Sequence, residues 1–315
     1  MTEIGLADGL RVVVLLPCHN EAGTIGEVVR GFAAALPGAR IIVFDNNSSD
    51  DTARAAARAG AFVHRESKLG KGNVVRRMFA DIDADVFVMA DGDGTYDPAD
   101  APSLVNALIT EHVDMVVGTR RPAAGQTERP GHAFGNRCFN LVYRWLFGPD
   151  FTDIFSGYRA FTRRFVKSFP AVSRGFEIET EMSVHASQMM MSVAEIPLGY
   201  GSRPNGSASK LRTIRDGLRI LATFVMLAKE TRPFAFYGLI GILFAALSIV
   251  LMIPVIATYL ETGLVPRLPT AVVATGAMVA AIIMFTCGLI LDSVTRARLE
   301  QKRILFLNIA PLNTQ

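Results

Sequence analysis

Cysteine, tryptophan and net charge are all scarce in this chain. Its 315 residues include 3 cysteines and 1 tryptophan, and 32 basic against 29 acidic residues leave a net charge of +3. Cys18, Cys138 and Cys287 are odd in number and share no metal-ligand spacing, which argues against a disulfide framework and against a zinc site. The small charge, with no basic tract or interleaved aromatics, argues against nucleic acid as a partner. A Gly-rich first turn is also missing: Pro17 to Gly23 stands where a Rossmann dehydrogenase needs it. Gly70-Lys71-Gly72 lacks the Lys-Ser/Thr ending of a Walker loop and the third Gly of a dinucleotide fingerprint, so it reads as a helix N-terminus near a nucleotide. There is no internal repeat or low-complexity segment. The apolar run 12–16 is too short for a signal peptide and has no charged leader, so the catalytic part is expected to stay in the cytoplasm.

Long uncharged apolar runs, by contrast, are present twice, at 234–260 and 268–291. Each exceeds the roughly 20 residues that cross about 30 Å of hydrocarbon, so both read as spanning helices, broken apart by Gly263, Pro266 and Pro269. Lys229 and Arg232 precede the first run, and Arg296, Arg298, Lys302 and Arg303 follow the second; the link carries only Glu261 and Arg267. The positive-inside bias then puts both flanks in the cytoplasm. Half of the residues are hydrophobic and mean hydropathy is positive, yet nearly all the charge precedes Pro233. The expected division is a catalytic domain over 1–209, an amphipathic helix over 210–232, a transmembrane hairpin over 233–295 and a cytoplasmic tail over 296–315. In the second segment Leu211, Ile214, Leu218, Leu221 and Val225 form an apolar stripe beside Arg212, Arg215 and Arg219, which suits a helix lying in the headgroup plane of a lipid bilayer.

The first 200 residues alternate short apolar runs (11–16, 41–44, 62–64, 86–90 and 115–118) with segments of helical spacing. In the first such segment Ile25, Val28, Val29, Phe32 and Leu36 fall on one face. A further helix is expected over 176–190 and a late strand over 193–200. This alternation predicts an α/β fold with a mostly parallel, Rossmann-like sheet covered by helices. Polar residues cluster after the strand ends, at Asn20-Glu21, Asp45-Asn46 and Asp91-Gly92-Asp93, in the crevice where open α/β sheets bind ligands. Two carboxylates flanking a glycine at a strand end suit Mg²⁺ or Mn²⁺, which would neutralise a diphosphate.

In sequence order the chain carries Pro17-Cys18-His19-Asn20-Glu21, Asp45-Asn46-Asn47-Ser48-Ser49-Asp50-Asp51-Thr52, Gly70-Lys71-Gly72, Asp91-Gly92-Asp93, Gly118-Thr119-Arg120, Ser156-Gly157-Tyr158-Arg159 and Ser209-Lys210-Leu211. This series resembles family 2 glycosyltransferases of GT-A fold that charge polyprenyl phosphate, the dolichyl-phosphate mannose or glucose synthase group. The paired apolar runs match its bacterial members. The resemblance implies that Pro17, Glu21 and Asp45 surround the nucleobase and ribose, and that Asp91 and Asp93 hold metal and diphosphate, Asp93 the more directly. Thr95 stands where the family often has a Gln ligand. Arg120 would grip the acceptor phosphate, with Arg129, His132, Asn136 and Arg137 forming the rest of that pocket; His132 replaces a usual Arg or Lys. Arg203 and Lys210 would close over the donor diphosphate. Glu177, Glu179 and Glu181 alternate within one helix and cannot all face one site, so Glu179 or Glu181 is the first candidate for the sugar and Asp153 the second.

The implied reaction is inverting transfer from a nucleotide-sugar, UDP-sugar favoured over GDP-sugar, to polyprenyl phosphate, giving a lipid-linked monosaccharide for envelope glycans. Because a phosphate monoester is largely ionised near neutral pH, the acceptor needs positioning more than a general base. Two alternatives remain at this stage. A membrane polysaccharide synthase would add a Gln-x-x-Arg-Trp motif, whose Gln is missing before Arg144-Trp145, and a non-catalytic nucleotide-binding scaffold would not need Asp91 and Asp93. Sugar, base and self-association are left open.

Overall fold

The computed structural model describes residues 9–122, 151–173, 175, 177–200, 225, 226 and 228–312. They fall into two compact units, Met1–Gly217 together with Lys302–Gln315, and Leu218–Gln301.

The first unit is built on one seven-stranded sheet. In chain order its elements are β1 (Val12–Cys18), α1 (Ile25–Ala35), β2 (Arg40–Asp45), α2 (Thr52–Arg58), β3 (Phe62–Arg65), α3 (Lys71–Asp81), β4 (Val86–Met89), α4 (Ala101–Thr110), β5 (Met115–Pro122), β6 (Arg159–Thr162), α5 (Arg163–Ser168), α6 (Ile178–Gln188) and β7 (Val193–Tyr200). The strand order is β3-β2-β1-β4-β6-β5-β7. Strands β1 to β4 run parallel, with Cys18 opposite Asp45 and Leu15 opposite Met89. β6 is antiparallel to both β4 and β5, and β5 runs parallel to β7. Reversal at β6 brings the start of that strand, Arg159, to the same sheet edge as the ends of β1, β2, β4 and β5.

Alternation along each strand divides the core into two layers. Val12, Val14 and Leu16 of β1, Ile41 and Val43 of β2, and Val86 and Val88 of β4 pack with Ile25, Val28, Val29 and Phe32 of α1 and Leu104 and Leu108 of α4. On the other side lies an aromatic cluster. Phe79 of α3 stands 5.7 Å from Phe161 and 6.0 Å from Phe169, and Phe161 stacks on Phe165 at 4.8 Å. Lys167 clamps α3 to this layer, its Nζ donating at 2.7 Å to the carbonyls of Phe79 and Ile82, where a helix C-terminus leaves them unpaired.

Short polar anchors also tie down 302–312. Phe306 is buried under Arg164, whose guanidinium lies 4.8 Å from the ring, and Arg303 donates to the Met189 carbonyl at 3.0 Å. Leu312 packs against the first core layer.

In the second unit α7 (Pro233–Thr262) and the 40-residue α8 (Leu268–Leu307), which runs on into the first unit, are long and apolar enough to cross a membrane. Their most apolar windows are only 17% and 22% buried, unlike the core helices of a soluble domain. Gly263 in the left-handed conformation caps α7, its N–H donating to the Tyr259 carbonyl at 2.8 Å. Ser248 Oγ joins the pair by donating to the Ala274 carbonyl at 2.7 Å. The second apolar run therefore continues as helix well past residue 291, since Asp292 to Leu307 contains no helix breaker. The expected interface helix lies largely outside the described residues; its end, at 225, 226 and 228–231, is helical.

Candidate active site

Four loops meet at the shared sheet edge, and each is held by polar bonds to its neighbours. After β1, Asn20 takes a positive φ of 54° and accepts from the Ser49 N–H at 2.8 Å, while the Glu21 N–H donates to Thr52 Oγ1 at 2.8 Å. After β2, the amide of Asn46 donates to the carbonyls of Glu66 and Lys68 and accepts from the Gly70 N–H at 2.8 Å. Asn46 thereby places the N-terminus of α3, and with it Lys71, over the edge. Its carbonyl in turn meets His19 Nδ1 at 2.8 Å. Asp45 Oδ1 accepts from the Ser48 N–H at 3.3 Å and is buried.

The turn after β4 is clamped from below. Thr24 Oγ1 donates to the Gly92 carbonyl at 2.8 Å. A Cβ on Gly92 would sit 2.3 Å from Cys18 Sγ and 2.7 Å from Glu21 Oε2, so only glycine fits between the two carboxylates of Asp91-Gly92-Asp93. Burial first, and then the Glu21 carboxylate, push the Cys18 thiol well up, so it stays a thiol. Thr95 braces Asp93, its hydroxyl donating to Asp93 Oδ1 at 2.6 Å and its N–H to the same oxygen at 3.1 Å.

Lys71, at the first position of α3, bonds to Asp91 and lies 2.5 Å from Glu179 Oε1. Burial alone would lower the lysine pKa; Asp91 and Glu179 outweigh it and hold the ammonium charged. Burial followed by the Asp91 charge pushes Glu179 upward, with Lys71 opposing. The Gly157 backbone closes over this pair. Its N–H donates to Tyr96 Oη at 2.9 Å, and a Cβ there would lie 3.1 Å from both Asp91 Oδ2 and Lys71 Nζ. From the same segment Ser156 Oγ donates to the Gly118 carbonyl at 2.5 Å, and Tyr158 Oη to the Asp97 carbonyl at 3.2 Å. Fully buried Arg159 secures it by donating to the carbonyls of Ser156 and Ile154 and to Ser183 Oγ at 2.8, 2.9 and 3.0 Å.

Arg120 occupies the β5 end of the edge. It forms a two-pronged pair with Asp153, Nε to Oδ2 at 2.7 Å and Nη2 to Oδ1 at 2.8 Å. Burial would raise the Asp153 carboxyl, but the bonds and charge of Arg120 bring it below its ordinary value. Glu195 of β7 fixes this loop by accepting from the Thr152 N–H and hydroxyl at 2.8 and 2.6 Å.

Of the residues singled out from the sequence, Pro17, Glu21, Asp45, Lys71, Asp91, Asp93, Thr95 and Glu179 gather along this edge, and Arg120 and Asp153 pair at the end of β5. Glu181 is turned away, accepting from the N–H groups of Val172 and Ser173 at 2.8 and 2.7 Å. Arg129, His132, Asn136, Arg137, Arg203 and Lys210 lie outside the described residues. Sequence reasoning missed Thr24, Asn46, Tyr96, Arg159 and Glu195 as supports. Asn46 and Arg159 did stand in motifs read from the sequence, and Glu195 is a lone acid in the apolar run 193–198; Thr24 carries no local signal.

The hard oxygens of Asp91 and Asp93 fit a Mg²⁺ or Mn²⁺ ion that draws its other ligands from water and phosphate. Among the described residues no group of three or more His, Cys, Asp or Glu side chains is spaced to hold a metal without such help.

The mixed α/β sheet, with its reversed strand β6, is of the GT-A class. The chain belongs to glycosyl transferase family 2, whose sequence model matches residues 13–169. It is 39% identical over 241 residues to glycosyltransferase AglJ of Haloferax volcanii, a match covering 73% of this chain and 76% of that protein. Undecaprenyl-phosphate mannosyltransferase of Micrococcus luteus is 28% identical over 216 residues, covering 63% of this chain and 87% of the relative. In fold, the chain is similar to glucosyl-3-phosphoglycerate synthase of Mycobacterium tuberculosis, solved with Mn²⁺, UDP and glucosyl-3-phosphoglycerate. That match has a TM-score of 0.56 at 24% identity and covers 69% of this chain and 80% of the other.

Proposed function

We propose that this glycosyltransferase moves one sugar from a nucleotide-sugar, preferentially a UDP-sugar, to a polyprenyl phosphate with inversion at the anomeric carbon. The observation that carries the reading is the joint presence of two features. One is the cluster of Asp91, Asp93, Lys71 and Glu179 at the sheet edge; the other is a pair of helices long and apolar enough to reach a lipid acceptor. Supporting it are the relation to an undecaprenyl-phosphate mannosyltransferase of Micrococcus luteus and the UDP and Mn²⁺ bound by the structural neighbour.

In this reading Pro17, Glu21 and Asp45 line the nucleobase and ribose, and Asp91 and Asp93 hold a Mg²⁺ or Mn²⁺ ion. When bound, that ion neutralises the diphosphate and stabilises its departure as a nucleoside diphosphate. Glu179 faces the sugar. Arg120 presents its guanidinium to the acceptor phosphate while Asp153 fixes the plane of the fork. Arg129, His132, Asn136 and Arg137 complete the acceptor pocket, and Arg203 and Lys210 close over the donor. The acceptor oxygen arrives already ionised, so the rate comes from holding it in line and from cations around the leaving group. The catalytic unit sits on the cytoplasmic side, with both helices crossing the membrane.

Thermal stabilisation by a panel of nucleotide-sugars with Mn²⁺ tests the donor half, since a ligand at 100 times its dissociation constant adds about 2.7 kcal/mol. Release of nucleoside diphosphate that depends on added polyprenyl phosphate tests the acceptor half. Release at the same rate without the lipid rejects the acceptor.

A further inference from the structure

The cluster around Asp91 contains its own cation. The ammonium of Lys71 lies between two carboxylates of unequal access: the side chain of Asp91 is 29% exposed and that of Glu179 only 5%. Glu179 Oε2 is buried and, among the described residues, has no hydrogen-bond partner, so this carboxylate has acceptor capacity in reserve. On the third side the Gly157 backbone packs so closely that a Cβ there would lie 3.1 Å from both Asp91 Oδ2 and Lys71 Nζ. The more exposed Asp91 has solvent on one side to turn toward, whereas the buried Glu179 stays with the lysine.

We infer that Lys71 neutralises Asp91 while the site holds no divalent cation, and that on loading the ammonium withdraws to Glu179 and releases Asp91 to the ion. Glu179 is the positioning residue of this exchange. An ammonium and a divalent ion repel each other strongly at contact distance around one carboxylate. A buried lysine deprived of its partner is strongly destabilising, so the departing ammonium needs a second seat. The inference rests on the reading of Asp91 as a cation ligand.

Mn²⁺ binding to the full-length protein in detergent, without nucleotide and then with UDP, is followed by loss of the free-ion EPR signal. Lys71→Met is expected to bind Mn²⁺ without nucleotide about ten-fold more tightly than the native chain, and Glu179→Gln about ten-fold more weakly. The paired change Lys71→Met with Glu179→Gln removes both buried charges together, and covers the case in which the single lysine change does not fold; it too is expected to bind more tightly. Asp91→Asn separates the two levels of the argument. If it binds Mn²⁺ as well as the native chain, Asp91 is not a ligand, and the exchange is overturned with that reading. If it loses Mn²⁺ while neither Lys71→Met nor the paired variant binds more tightly than the native chain, the exchange alone is overturned.

Discussion

The two units put the same residue types on opposite sides. In the catalytic unit Val14, Leu15, Val43, Phe87 and Val88 are fully buried on both faces of a sheet. On α7 the equivalents Leu239, Ile242, Leu243, Ile249 and Val250 are each 56% or more exposed. Water drives the first arrangement and opposes the second, which suits a first unit folded in water and a second whose helices are long and apolar enough to cross a membrane. Charge follows the same rule: the sheet edge concentrates carboxylates and ammonium groups, while the apolar stretches of both helices carry none.

Removing charge from the sheet edge is expected to have the largest effect. Asp93→Asn should lower transfer by about 10²–10³-fold, or 2.7–4 kcal/mol, with an unchanged circular dichroism spectrum, because the carboxylate supplies charge and not packing. Adding charge to the hairpin is the converse. Ile249→Arg would be harmless on a water-facing helix, but should cost about 3 kcal/mol of insertion at a membrane centre, seen as loss of protein from the membrane fraction. Phe306→Ala probes the place where α8 ends within the catalytic unit, and should lower stability toward denaturant by about 3 kcal/mol.

A pH effect of intermediate size is expected from His185. It is buried against Phe165 and Phe169, and burial, with Lys302 adding to it, lowers its pKa to about 3. The folded state binds this proton less readily than the unfolded chain does. Its contribution is intact above the ordinary histidine value near 6.5 and is lost progressively as pH falls toward about 3. His185→Gln should flatten the stability profile over that window in denaturant titrations. The smallest effect belongs to Thr24→Val, which removes the bond to the Gly92 carbonyl and should cost about 1 kcal/mol in thermal unfolding.

Much of the sheet could be read from the chain because β1, β2 and β4 are runs of β-branched and apolar residues between turn signals. β6 could not: it has four residues and begins with an arginine whose burial depends on the carbonyls of Ile154 and Ser156 just before it and on Ser183 in a later helix. The carboxylates of the site were legible at Asp91 and Asp93, since a strand end gives them a common location. Their supports were not, because Thr24 and Gly92, or Tyr96 and Gly157, meet only after segments more than 60 residues apart are brought together. Helix phase accounts for the sorting of Glu179 from Glu181: residues two apart point about 200° from each other, so one faces the edge and the other caps a neighbouring loop. Hydropathy marks where α8 stops being apolar but not where it stops being helical, which is why its continuation into the catalytic unit appears only in the folded chain.

In the proposed reaction a site built in water serves an acceptor held in lipid. Membranes containing the full-length protein, supplied with radiolabelled UDP-sugars, Mn²⁺ and polyprenyl phosphate, test it by where the label goes. Label is expected in the organic extract as a single sugar on polyprenyl phosphate, and is expected to be abolished by Asp93→Asn. Label in a water-soluble polymer, or no transfer from any nucleotide-sugar, would contradict it.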